Sequence, residues 1–332
     1  MDDLIRPIVV APMAGGPTTT ALVTGAAGAG ALGFLAAGYR TPEAVEEELR
    51  AVRGVPFGLN IFVPMPPPPD VGALERYRAM LRPEAERFQV DLPPLRLHDD
   101  DGFGAKVALA EAYAVPLVSF TFGVPERAVV ARLQRAGSRV LLTVTNADEA
   151  RRALAVDPDG LVAQAGAAGA HSATTDPAHF RGDSTATEIL AQVRALTGKP
   201  VLVAGGVMTA AEVATLIGRG AAAVQCGTAF LLADEAGTRP AQRAAMLAGA
   251  YRKTVVTRAF TGQPARGLAN RFVETYSAHA PIGYPAVHHL TAPIRAAAAK
   301  LGDAGSLNLW AGTGHALART GSVADLVGRL MP

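Results

Sequence analysis

Residues that could do chemistry gather in a few glycine-rich places along this chain. A histidine stands in the stretch Gly169-Ala170-His171, a few positions beyond an apolar run that ends in Gln164. An imidazole in such a loop can take or give a proton near neutral pH. It can equally bond a neighbouring backbone group and do no chemistry, and position alone leaves both readings open. Two further loops, Val203-Ala204-Gly205-Gly206-Val207 and Gln225-Cys226-Gly227-Thr228, lie close together in sequence. Glycines let backbone N–H groups converge on an anion, and a helix after the second loop would turn its positive end toward it. The pair is therefore expected to hold a phosphate. The apolar loop Ala11-Pro12-Met13-Ala14-Gly15-Gly16 suits the face of a flat ring. Asn60 and Gln164 could offer amide groups to a uracil-like rim. A phosphate at one end and a planar, polar-edged ring at the other describe FMN better than a sugar phosphate.

Other features point to chemistry less directly. His98-Asp99-Asp100-Asp101 offers hard oxygens, but consecutive carboxylates rarely converge on one cation, and Asp101 could simply cap the helix that follows. No metal site is expected. Cys226 has no evident base beside it and reads as a small buried hydrophobe, on the same loop as the phosphate glycines. Tyr251, Arg258, Arg266 and Arg271 could hold an anionic substrate, although arginines scattered on helices are usually solvated. His98, His179, His279, His288, His289 and His315 read mostly as ordinary polar surface.

These loops need a frame, and the pattern around them supplies one. Short apolar runs alternate with longer Ala-, Glu- and Arg-rich amphipathic segments, as in βα units. Eight runs can be placed: Ile8 to Ala11, Ala31 to Ala36, Phe57 to Phe62, Leu117 to Phe120, Val140 to Val144, Gly160 to Gln164, Val201 to Ala204 and Ala223 to Cys226. They lack polar alternation, which suits parallel strands covered on both faces. Pro56, Pro116 and Pro200 precede three of them, and Gly30, Gly137 and Gly220 fall where helices should stop. Eight such units predict a closed (β/α)8 TIM barrel, whose functional groups gather at the C-terminal strand ends. Two segments exceed the repeat. Pro64 to Ala114 opens with Pro66 to Pro69, expected to form a stiff loop across the barrel mouth, and has a second break at Pro93-Pro94. Residues 233–301 should form a smaller, mostly helical lid domain over the site, leaving 1–232 and 302–332 to the barrel.

Composition excludes several classes. Lys+Arg at 31 against Asp+Glu at 29, with no basic run, argues against a nucleic-acid partner. One cysteine rules out an internal disulfide framework and any Cys-rich zinc site. Residues 7–39 are uncharged, yet Pro7, Pro12, Pro17 and four glycines break them, and Asp2 and Asp3 stand where a signal peptide needs basic residues. A cytoplasmic protein without a membrane partner is expected, as monomer or homodimer.

Several stretches resemble the motifs of class I bacterial nitronate monooxygenases, formerly called nitropropane dioxygenases. They are Pro12-Met13-Ala14-Gly15-Gly16, Gly33-Phe34-Leu35-Ala36-Ala37-Gly38-Tyr39, Phe57-Gly58-Leu59-Asn60, Ser119-Phe120-Thr121-Phe122-Gly123 and Asn308-Leu309-Trp310-Ala311-Gly312. Arg258-Ala259-Phe260-Thr261-Gly262 and Asn270-Arg271-Phe272 extend the likeness through the lid. The resemblance implies an FMN-containing TIM barrel with a smaller helical domain, oxidising alkyl nitronates with O2 to a carbonyl compound and nitrite. It implies FMN contacts at Asn60, Gln164, Gly169, Gly206, Gln225, Gly227 and Thr228, with Met13 beside the ring and His171 as the family histidine. His171 would then stabilise the nitronate charge or deprotonate a neutral nitroalkane. One loop departs from the family, which commonly has Ala-Gly-Gly-His-Arg-Gly where this chain has Ala168-Gly169-Ala170-His171-Ser172-Ala173. An NAD(P)H-dependent reductase of quinones or enoyl thioesters is the nearest rival, and a flavin-binding barrel without turnover is a third reading.

Overall fold

A computed structural model describes residues 6–332, so Asp2 and Asp3 lie outside the described residues. The apolar runs form β1 (Ile8–Val10), β2 (Leu32–Ala36), β3 (Phe57–Phe62), β4 (Leu117–Thr121), β5 (Arg139–Val144) and β6 (Gly160–Gln164). There follow β7 (Ala170–His171), β8 (Val201–Ala204), β9 (Ala223–Cys226), β10 (Thr254–Thr257) and β11 (Ala265–Leu268). Strands β1 to β6, β8 and β9 close a parallel barrel, with Val9 of β1 opposite Leu32 on one side and Gln225 on the other. The chain is thus a (β/α)8 barrel. Each strand lies within about a residue of the expected run, and Gly30, Gly137 and Gly220 take left-handed φ of 77°, 97° and 91° behind their helices.

Strand periodicity sorts the barrel side chains. Val9, Leu32, Phe34, Leu117, Leu141, Val162 and Leu202 form one buried cluster, while alternate neighbours such as Ile8, Val10, Leu35, Val118, Phe120 and Leu142 join the layer packed with the helices. Gly58 is glycine because Phe34 needs its space: a Cβ there would stand 2.4 Å from the Phe34 ring. Two residues further along the same inward row come Asn60, Ser119, Thr143, Gln164, Ala204 and Gln225. The alternation that fills the floor with hydrocarbon therefore also aims polar groups at the mouth.

Residues 233–301 hold the helices Pro240–Leu247, Arg271–Tyr276 and Ala286–Leu301, and also two strands, β10 and β11, which pair with β7 in an antiparallel sheet the sequence reading did not anticipate. Its order is β10-β11-β7, with Ala265 opposite His171 and Arg266 opposite Ala170. A second core covers this side and draws on residues before and after the segment. Leu74, Tyr77 and Leu81 pack with Phe260, Phe272, Leu290, Ile294, Leu307 and Leu309. The helices behind Pro66 to Pro69, Val71–Met80 and Arg82–Phe88, thus contribute to this core, where Tyr77 donates to the Ala259 carbonyl at 2.7 Å. Glu84, nearly fully buried, is held by Arg271 and Ser306.

The aspartate run has a structural use. Asp99 accepts from the Asp101 N–H and pairs with His289 at 2.7 Å. Asp101 does not cap the next helix, as expected from sequence: it adopts φ 52°, Gly102 is the N-cap residue, and the Asp101 carboxylate holds the Tyr39 N–H at 3.0 Å and Lys106 at 2.8 Å. Among the described residues no cluster of three His, Cys, Asp or Glu side chains could hold a metal ion. None of their helices is long and apolar enough to cross a membrane. Ala21 to Ala37 divides between the helix Thr20–Gly28 and β2.

Candidate active site

A cavity of about 290 Å³ opens at the C-terminal ends of the barrel strands. Met13, Asn60, Gln164, Gly169, His171, Gly205, Gly206, Gln225, Cys226, Gly227 and Thr228 all line it, so the residues singled out from sequence meet in one place. None of its lining residues is Asp or Glu.

One end is built of glycine turns. Gly205 and Gly206 have φ of 121° and 77°. A Cβ on Gly205 would meet Ala165 Cβ at 2.9 Å and Ala168 N at 3.0 Å, and one on Gly206 would meet Ala167 Cβ at 3.0 Å. Only glycine fits both the conformation and the space. Thr228 Oγ1 accepts from the Gly312 N–H at 2.9 Å, and Thr313 N donates to the Ala167 carbonyl, so the Gly312-Thr313-Gly314 loop closes this end from the side. The helix expected behind Gly227 is only the single 3₁₀ turn Thr228–Phe230. Any anion here would rest on backbone N–H groups rather than on a helix dipole. Burial pushes the Cys226 thiol up to about 12, with Glu212 adding to it, which leaves the cysteine an unreactive wall.

The two amides face different tasks. Asn60 Nδ2 donates to Ser119 Oγ at 2.8 Å and Thr121 Oγ1 at 2.9 Å, and its Oδ1 has no partner among the described residues. That oxygen can accept from the N–H edge of a planar ligand. Gln164 instead braces the histidine loop, donating to the His171 carbonyl at 3.0 Å and accepting from Ala173 N at 2.7 Å.

His171 is set by β7 and β11. Its Nε2 lies 2.9 Å from Thr261 Oγ1, and Phe122, Tyr284 and Trp310 surround the ring with centroids 5.5, 6.1 and 5.7 Å away. A bridge between Gly267 and Trp310 ties the tryptophan to the same small sheet. Burial, followed by the positive charge of Arg295, lowers the His171 pKa to about 3. The imidazole is neutral throughout the working range and is a weak base.

Sequence reasoning missed the far wall. His288 is not surface: it lines the cavity, stacked on Tyr39 at 4.2 Å and 2°, and burial together with Arg295 holds its pKa well below the usual value. Arg295 and Arg239 line the cavity as well. The helix Ala286–Leu301 carries no carboxylate that could neutralise Arg295, and that was the available signal. Conversely, Arg258, Arg266 and Arg271 are spent elsewhere: on the Ala280 carbonyl, on the Gly166 and Gly182 carbonyls, and on Glu84. Tyr251 accepts from His315 through its carbonyl.

A closed parallel barrel with glycine turns on its last strands and a buried histidine facing a carboxylate-free cavity at the C-terminal strand ends has the architecture of a barrel enzyme. Comparison narrows the class. The model of the nitronate monooxygenase family matches residues 1–332. A probable nitronate monooxygenase of Staphylococcus aureus (strain Newman) is 33% identical over 321 residues, covering 95% of this chain and 90% of the relative. The crystal structure of nitroalkane oxidase from Streptomyces ansochromogenes superposes with a TM-score of 0.95 at 44% identity, covering 99% of this chain and 96% of that one. FabK from Thermotoga maritima shares the fold, at a TM-score of 0.76 and 22% identity over 99% of this chain and 92% of that one. The chain belongs to the nitronate monooxygenase family and is thereby a flavin-dependent oxidoreductase.

Proposed function

We propose that this enzyme holds FMN and oxidises alkyl nitronates of the propionate 3-nitronate type with O2, giving a carbonyl compound and nitrite. The observation that carries the reading is the neutral His171, bonded to Thr261 in a cavity whose lining contains no carboxylate. Such a site accepts an organic anion without repulsion, whereas a base with a pKa near 3 is poorly matched to drawing a proton from a neutral nitroalkane. The nitronate should therefore enter already ionised.

The residues present fit FMN. Backbone N–H groups at Gly205, Gly206, Gly227 and Thr228 would hold its phosphate, Gly169 and Gln225 would flank it, and the Asn60 Oδ1 would accept from its imide edge beside Met13. Bound there, FMN would supply the electron acceptor for the nitronate and the means of reducing O2. The protein's own part is to exclude water with Phe122, Tyr284 and Trp310 and to keep the His171 ring oriented. Thr261 Oγ1 lies 3.3 Å from the Gln263 carbonyl and can donate to it. The hydroxyl is then an acceptor toward His171, placing the imidazole proton on Nε2. The test is nitrite release from propionate 3-nitronate by the purified protein in air, against the same reaction with 3-nitropropionate kept in its neutral nitro form. The ionised form should react at least tenfold faster, and equal rates would contradict the reading.

A further inference from the structure

Part of the cavity wall is a stacked pair of rings, Tyr39 and His288, 4.2 Å apart and 2° from parallel. They come from the turn after β2 and from the helix Ala286–Leu301, so their stacking depends on what ties these distant elements together. Tyr39 is also strained. Its φ of 68° is left-handed, a conformation costly for an aromatic residue and kept only where the surroundings fix it.

A single turn in the insertion between β3 and β4 grips both sides of this pair. Asp101 Oδ1 accepts from the Tyr39 N–H at 3.0 Å, and Asp99 Oδ2 lies 2.7 Å from Nε2 of His289, the residue after His288. Asp99 Oδ1 accepts from the Asp101 N–H at 2.9 Å, which joins the two grips into one piece. The other Asp101 oxygen, Oδ2, has Lys106 Nζ at 2.8 Å, and Lys106 is fully buried on the helix Phe103–Ala112. A buried ion pair adds little stability over hydrocarbon of the same volume, so its use is to be sought in geometry. With Oδ2 committed to Lys106, Oδ1 is left pointing at Tyr39.

We propose that Asp99, Asp101 and Lys106 form a positioning clamp that keeps Tyr39 and His288 stacked and so fixes the shape of the cavity for the ligand that enters it. None of the three lines the cavity, and each acts through a ring that does. His171 and the glycine turns hang on other elements, β7 with β11 and β8 with β9. Loosening the clamp therefore weakens ligand fit and leaves the reacting groups in place. The inference does not depend on which substrate is oxidised.

Two readouts test it, one of them without turnover. Amide hydrogen exchange of the cofactor-loaded protein, followed by mass spectrometry, should show residues 37–40 opening about tenfold more readily in Asp101→Asn, the scale of one hydrogen bond to a charged group. Asparagine tolerates the left-handed φ but sets its amide donor against Lys106 or against the Tyr39 N–H. Adding Lys106→Met removes that conflict and should return exchange to within about threefold of wild type. Exchange in β5 should not change in either variant. With propyl-1-nitronate as probe substrate, Asp101→Asn and His289→Ala should each raise KM about tenfold with kcat within about twofold, the pattern of lost uniform binding. His289→Ala opens the Asp99 grip and stands as the test if Asp101→Asn does not fold. Both break one device, so the double variant should have a KM within about threefold of the larger single effect. Unchanged exchange at 37–40, lost protection throughout the barrel, or KM effects that multiply in the double variant would overturn the clamp. Absent O2 uptake by wild type would count against the nitronate reading alone and leave the exchange arm to decide.

Discussion

At the scale of single residues, the account turns on His171 being neutral and oriented. Replacing it by Asn keeps a polar group near Thr261 but removes the imidazole, and should cost about 10²-fold in kcat, the scale of a misplaced substrate, while flavin content is unchanged. Steady-state nitrite release beside the flavin absorbance of the purified variant checks this. A loss of flavin in proportion to activity would instead make His171 part of the cofactor site. His171 was legible as a candidate because small residues flank it beyond a strand. His288 and Arg295 were not, because their meaning depends on which way the helix Ala286–Leu301 faces. That orientation is set by Leu290, Ile294 and Ala298 packing into a core whose other side comes from residues about 200 positions earlier in the chain, such as Leu74 and Tyr77.

At the scale of elements, two devices hold the site and each can be broken separately. Gly205→Ala would force a Cβ into Ala165 and the Ala168 N–H at φ 121°. The variant should fold as a barrel yet lose most of its bound flavin, read from the ratio of flavin to protein absorbance after purification. The second device is Gln263, fully buried, which donates to the Ser172 carbonyl at 3.2 Å and the Thr174 carbonyl at 2.9 Å and so fixes the loop after His171. Gln263→Ala strands two buried carbonyls and should cost about 2–3 kcal/mol in urea unfolding. It should also lower kcat more than it raises KM. The eight barrel strands were readable because each is a short, mostly apolar run without regular polar alternation, set between longer amphipathic segments. The small sheet was not: β7 is two residues long, β11 carries an arginine, and their pairing joins Ala170-His171 to Ala265-Arg266 far along the chain. Register between such short strands has no local pattern to announce it.

At the scale of the whole molecule, two neutral imidazoles and an unpaired guanidinium in one cavity set how stability follows pH. Below about pH 6.5 the unfolded chain binds a proton on each imidazole, while folded His171 refuses one until about pH 3. Folded His288 is depressed in the same direction. Their contribution is therefore present in full above the unfolded value and is lost as pH falls, by up to about 1.4 kcal/mol per pH unit for each histidine. Urea unfolding at pH 7, 6 and 5 should show this decline, and His171→Asn should flatten it. An unchanged slope in the variant would mean that the ring is solvated in the folded protein.

The most direct measurement is oxygen uptake by the cofactor-loaded enzyme given propionate 3-nitronate in the absence of NADH, with NADH plus a quinone as the parallel arm. The account predicts rapid uptake with nitrite release in the first arm and no NADH-dependent quinone reduction in the second. No uptake with the nitronate, together with NADH-driven quinone reduction, would contradict it and assign this barrel to reductase chemistry.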